Sequence, residues 1–154
     1  MLLRNTEHFA SGALGTIFLG MLDKNWKLVG YHYAGQGGFK SASNAVIIGP
    51  RIGINPFGAY EAKCTLIGMK GTHRPRTFFP DEMRPQQVVE AINQAYRTRM
   101  ASPQGLRDPK GTNLYLGRTT HVIMAGSRWV PAGMPIYLLI NKANKIVDAY
   151  PSST

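Results

Sequence analysis

The chain has 154 residues, 44% of them hydrophobic and 17% charged, with 17 glycines and 10 prolines. That is the size and make-up of one globular domain, expected over residues 1–154 and rich in turns and short strands, and it excludes disorder. Eighteen Lys and Arg against eight Asp and Glu give +10, an excess that points to a polyanionic partner and, being scattered along the chain, to a charged surface on a folded body.

In chain order, Thr6 is placed to cap a short helix through Phe9, and the apolar segment ALGTIFLGML after Gly12 predicts a second one. The opening MLLRNTEHFASG lacks the apolar core and cleavage pattern of a secretory signal. Export would then depend on something upstream. WKLVGYHY at 26–33 alternates as a strand or strand entrance, and GQGG at 35–38 opens a loop. AVIIG at 45–49 and AYEAKCTLIG at 59–68 are expected to be strands. In the latter, Tyr60, Ala62, Cys64 and Leu66 share one face, so Cys64 is expected to be a buried thiol.

After TFFP, Pro85 stands at a helix start, and Val88, Val89, Ile92, Ala95 and Tyr96 recur at helical spacing as far as RTRM. Residues 101–113 carry Pro, Gly and charge and are expected to be a loop, while HVIMAG, PIYLLI and KIVDAYP predict closing strands. PIYLLI is the kind of run that fills a core and is far too short to span a bilayer. The fold class is α+β, with short N-terminal helices, one long helix and antiparallel strands.

Several chemistries are excluded by what is missing. A lone cysteine permits neither an intramolecular disulfide nor a multi-cysteine zinc site. His8, His32, His73 and His121 form no HxxxH or HxxEH pair and have no carboxylate cluster beside them, so no metal site is expected. Neither the HxE and CxxC of zinc deaminases nor a phosphate-binding GxxxxGK[ST] loop is present.

Three stretches together resemble the EndoU endoribonuclease family, particularly its bacterial contact-dependent inhibition and polymorphic toxin members. They are TIFLG followed by GYHYAG, then RTFFPDEMRPQQVVEAINQAYRTR, and finally NKIVDAYPSS, in the family's order and spacing over about residues 12–151. The resemblance implies a nuclease fold of the barnase–EndoU–colicin–RelE type. It also implies cleavage in which the ribose 2′-OH attacks the adjacent phosphate, leaving 2′,3′-cyclic phosphate and 5′-OH ends. Such a reaction needs a base, an acid and a cation or donor for the phosphorane charge, and it spares DNA for want of a 2′-OH. No cofactor is implied. The partners implied are RNA, with tRNA among the candidate substrates, and a cognate immunity protein, for which an acidic inhibitor would suit so basic a surface.

Carried over residue by residue, the family's second histidine falls on His32 and its C-terminal aromatic on Tyr150. Both also admit a plain packing role, His32 as a strand histidine and Tyr150 as a core tyrosine. The lysine position falls on His73 and the following hydroxyl on Thr77, within THRPRTFFP. Arg76 offers a fixed positive charge in the same stretch, and Lys70 just before it is a further candidate substrate contact. The departure is at the first histidine: relatives read HIFEG where this chain reads TIFLG, which puts Thr16 at an acid or base position. Three explanations stand: an inactivating substitution, a repurposed fold, or recruitment of His8 or His73. The expected function is therefore an RNA endonuclease module of a larger secreted effector, acting in a recipient cytoplasm. The alternatives are a catalytically weakened RNA-binding module and a basic interaction protein with no RNA role.

Overall fold

Gly20 and Pro85 set the limits of the two helices. The structure, a computed structural model, describes residues 3–35, 45–66, 75–101 and 112–153. Helix α1 spans Ala13–Leu19 and stops at Gly20, so the continuation Met21–Leu22 is not helical as expected but is strand β1, paired with β2 (Leu28–Val29). The helix expected over Thr6–Phe9 is likewise a single turn, closed by the Phe9 N–H to the Thr6 carbonyl at 3.1 Å and followed by a lone parallel bridge from Phe9 to Ile146. The chain there is tied to a distant strand, and that pairing competes successfully with local helix propensity. Of the stretch 26–33, only Leu28–Val29 pairs as a strand.

Three antiparallel strands follow: β3 (Ala45–Gly53), β4 (Tyr60–Leu66) and β5 (Pro75–Phe78), in that order across the sheet. One face of β4 carries Tyr60, Ala62, Cys64 and Leu66, all buried. With Tyr31, Ala45 and Phe78 they make a small core of their own. The Cys64 thiol is buried and unpaired, and burial pushes its pKa up to about 11 against a weaker opposing effect of Arg76. Because the thiolate is the nucleophile, native protein at pH 8 should react with iodoacetamide far more slowly than protein in denaturant. Equal rates in the two states would place Cys64 at the surface.

Helix α2 (Pro85–Arg97) begins with Pro85 in its first turn and with the Gln87 side chain reaching back to the Arg84 N–H at 2.9 Å. Its predicted apolar stripe is fully internal: Val88, Val89, Ile92 and Ala95 have no exposure and Tyr96 has 6%. Each of the larger aliphatic side chains stabilises the packed state by about 1.5–3 kcal/mol. The stripe lies against the four-stranded antiparallel sheet β11-β10-β7-β6, formed by Ile146–Pro151, Pro135–Ile140, Asn113–Arg118 and Met100–Ala101. A second hairpin pairs β8 (Ile123–Ala125) with β9 (Arg128–Val130). The α+β class is as expected. Strands β5, β6, β7 and β9 are additions to the sequence reading.

One register detail positions the site. Leu139 pairs with Asp148 and Ile140 with Ile146, so Val147 is an extra residue in β11. The bulge puts Ile146 and Ala149 on the helix-covered face, where both have no exposure. Asp148 and Tyr150 share the opposite face. Strand β11 also meets β5 of the other sheet, and the two cores adjoin there.

Candidate active site

The segment GYHYAG bridges the two cores. Tyr31 is buried in the smaller core, edge-on to Phe78 at 5.4 Å. Tyr33 is buried in the larger one, edge-on to Phe18 at 5.4 Å, with its hydroxyl donating to the Met83 carbonyl at 2.5 Å. His32 lies between them, held at both backbone groups: its N–H donates to Ile17 at 2.8 Å and its carbonyl accepts from Phe79 at 2.9 Å. Anchoring in two cores fixes the segment while it carries left-handed backbone at Gly30 (φ 79°) and Tyr31 (φ 67°). Glycine takes that conformation freely, whereas Tyr31 holds it at a cost that its tertiary contacts must offset, and such strain gathers at functional sites.

The His32 side chain has 5% residue exposure and three neighbours. Its Nδ1 lies 3.0 Å from the Thr77 carbonyl oxygen on β5. Its Nε2 lies 3.5 Å from Oδ2 of Asp148 on β11. Its ring centre lies 5.0 Å from that of Tyr150, the planes tilted by 31°. Tyr150 in turn meets Tyr137 at 5.7 Å. Burial, then Asp148, then Tyr137 push the Tyr150 phenol above its ordinary pKa, so it stays a hydrogen-bond donor at neutral pH. The Thr77 hydroxyl is buried and makes no hydrogen bond among the described residues. A buried polar atom of that kind calls for a partner.

Arg76 is also here, in a different capacity from a free surface cation. Its guanidinium donates to the carbonyls of Gly30 at 2.8 Å and Leu28 at 2.5 Å, clamping the chain just before His32. Burial lowers its pKa, with Cys64 and Asp148 acting in the opposite direction. A guanidinium remains charged under such a shift.

Four of the residues singled out in the sequence therefore converge: His32, Thr77, Arg76 and Tyr150. Thr16 lies beneath the same segment, but its hydroxyl donates to the Gly12 carbonyl at 3.1 Å and approaches the Met21 sulfur at 3.3 Å. Its backbone carbonyl receives the Tyr31 N–H at 2.9 Å. Those contacts are structural. His8 stacks on Tyr96 at 4.6 Å, on the α2 side of the four-stranded sheet, and is not among the neighbours of His32. His121 is exposed beside Thr120. Lys70 and His73 lie outside the described residues. Among the described residues no group of three or more His, Cys, Asp or Glu side chains gathers as a metal site, and no helix is long and apolar enough to cross a membrane.

This constellation sits on a chain whose residues 11–153 match a family model described as bacterial EndoU nuclease. The chain belongs to the bacterial EndoU nuclease family. It is also 28% identical over 152 residues to a protein of Bacillus cereus named "Toxin", the match covering 97% of this chain and 24% of that protein. The chain thus spans about a quarter of the length of the curated relative it matches. No solved structure matches.

Within this EndoU chain the residue that sequence reasoning missed is Asp148. It has 7% exposure, its Oδ1 accepts the Ala149 N–H at 2.9 Å, and its Oδ2 faces His32. One signal was present in KIVDAYP: an acidic residue two positions before Tyr150 in a strand must share the tyrosine's face.

Proposed function

We propose that this domain is an RNA endonuclease that cleaves by attack of the ribose 2′-OH, leaving 2′,3′-cyclic phosphate and 5′-OH ends. Membership of a nuclease family supports the reaction class. The observation that carries the reading is His32, buried where two sheets meet, with a carboxylate at Nε2, a carbonyl at Nδ1 and a tyrosine ring alongside. Of the described histidines it is the one set among groups that can direct a proton. The Tyr150 ring offers a stacking surface for a base and the Thr77 hydroxyl an unused hydrogen-bonding group. The excess of ten positive charges draws RNA to the surface.

The relative named as a toxin supports a role as one module of a larger delivered effector, acting in a recipient cytoplasm and neutralised by an acidic immunity protein. Incubated with total RNA in EDTA, the protein should yield fragments with cyclic phosphate and 5′-OH ends, because the nucleophile belongs to the substrate. Fragments with 5′-phosphate ends would overturn the mechanism. Salt-sensitive binding without cleavage would select the alternative, an RNA-binding module in which Thr16 marks a lost catalytic histidine.

A further inference from the structure

We infer that Trp26, at the tip of the β1–β2 hairpin, is a stacking site for an unpaired base of RNA, with Lys24 and Lys27 on the adjoining phosphates; that RNA is the ligand rests on the nuclease reading above. The tip is a turn closed by its own chain. The Asp23 N–H donates to the Lys27 carbonyl at 3.0 Å, and the Asp23 carboxylate accepts the N–H groups of Asn25 at 2.8 Å and Lys27 at 2.9 Å. The Trp26 N–H donates to the Asp23 carbonyl at 3.0 Å, and Trp26 itself has φ 60°.

Trp26 is unfavourable here on two counts. Left-handed backbone at a turn suits Gly, Asn or Asp, and a bulky residue there is an outlier. The indole is also 69% exposed, which forgoes the burial that makes tryptophan useful to a fold. Among the described residues no other ring or guanidinium is stacked on it. Backbone strain and an unburied aromatic at one position point to a contact made outside the chain.

The hairpin is built into the segment that carries His32. Leu22 and Leu28 pair with each other and pack on the smaller core, and Arg76 grips the carbonyls of Leu28 and Gly30. His32 follows Trp26 by six positions, at most about 20 Å of chain. A few nucleotides of extended single strand cover that distance. The occupant is set by the chemistry of the tip. Lys24, Asn25, Trp26 and Lys27 are all exposed, and an aromatic face between two ammonium groups answers a base and its flanking phosphates. A protein interface needs about 800 Å² a side, far more than such a tip presents. The other exposed tryptophan, Trp129, pairs with Met124 on the β8–β9 hairpin, which is fastened to the start of α2 by the Gln87 amide on the Met124 carbonyl at 2.5 Å.

The test reads indole fluorescence, which base stacking quenches. In Trp129→Phe protein, Trp26 is the sole tryptophan. A 2′-O-methylated single strand of about ten ribonucleotides, which cannot be cleaved through its 2′-oxygens, should quench it strongly. An RNA duplex of the same length, whose bases are already stacked on one another, and polyglutamate should leave it nearly unchanged. In cleavage of an unmodified strand of that length, Trp26→Ala should raise KM by about 5- to 100-fold with kcat little changed, since the contact is the same before and during reaction. Trp26→Phe should recover part of the loss. A diribonucleotide, too short to reach the tip from His32, should be cleaved equally by parent and Trp26→Ala.

A strand that binds without quenching Trp26 would overturn the assignment and leave the nuclease intact. Quenching by polyglutamate as strong as by the single strand would overturn it in favour of an acidic protein partner. A KM rise on the diribonucleotide equal to that on the longer strand would also overturn it, by showing that Trp26 merely shapes the His32 segment. The titration needs no change at Trp26, so it decides even if Trp26→Ala is impaired. Protein that the strand quenches but that cleaves no RNA would overturn the nuclease reading and leave the stacking site standing.

Discussion

Replacing His32 by alanine should lower RNA cleavage by about 10²- to 10⁴-fold, the range a positioned proton-transfer group contributes. Salt-dependent affinity for RNA should barely change. Binding is governed by a net charge of +10 spread over the surface, and one buried imidazole adds little to that field. The fold should survive as well, because the segment is anchored by Tyr31 and Tyr33 in two cores and by backbone hydrogen bonds to Ile17 and Phe79, none of which needs the imidazole. The cost falls on Asp148, which loses the ring nitrogen 3.5 Å from its Oδ2 and keeps the Ala149 N–H at Oδ1. A modest fall in melting temperature is therefore expected alongside the loss of activity. Cleavage within a few fold of the parent would return His32 to a packing role, and a parallel fall in RNA affinity would show that the loop had moved.

Much of this arrangement was legible in the sequence wherever the causes are local. Helix α2 was readable because its buried residues recur at a period set by the helix itself and Pro85 marks its start. Strand β4 was readable because alternation survives in a strand with one buried face, and Cys64 followed from that alternation. Strand β5 was not: its four residues include a proline and an arginine, and it exists because Tyr60, Glu61, Ala62 and Lys63 pair with it. Strand β7 was hidden for a similar reason. It follows a Pro-, Gly- and charge-rich stretch, and its place between β6 and β10 is set by partners distant in sequence.

The same division applies to the site. His32 and Tyr150 could be singled out by resemblance, and the contact between their rings is a tertiary fact. Arg76 was readable as a cation, whereas its use as a clamp on Gly30 and Leu28 depends on contacts with residues more than forty positions earlier in the chain. Asp148 could be placed on the face of Tyr150 by alternation, but its position in the site depends on two further facts that no local pattern contains. One is the bulge at Val147, which decides which face each β11 residue takes. The other is the contact between β11 and β5 that brings Asp148 beneath a histidine from the opposite end of the chain.

Gly30→Ala should be among the most damaging small substitutions in the chain, and its effect can be separated into backbone and steric parts. Gly30 has φ +79°, and a Cβ built there falls 2.0 Å from the Thr16 carbonyl oxygen and 2.6 Å from the Thr16 Cγ2. That oxygen already receives the N–H groups of Tyr31 at 2.9 Å and Gly20 at 3.1 Å, so it cannot withdraw without breaking the end of α1 or the His32 segment. Gly12 is the control. It has φ +82° with nothing within 4 Å of a built Cβ, so Gly12→Ala meets only the left-handed penalty of about 1–2 kcal/mol. Gly30→Ala adds a backbone clash, and a total on the order of 3 kcal/mol or more is expected, a fall in melting temperature of roughly 6–12 °C for a domain of this size. Assayed well below either melting point, Gly12→Ala should keep its RNA cleavage. Gly30→Ala should lose most of it, because relief of the clash moves the chain two residues before His32 and pulls on the carbonyls that Arg76 holds. Equal destabilisation by the two substitutions would mean that the approach of Gly30 to Thr16 relaxes in solution, and full activity in Gly30→Ala would mean that His32 does not depend on this segment for its position.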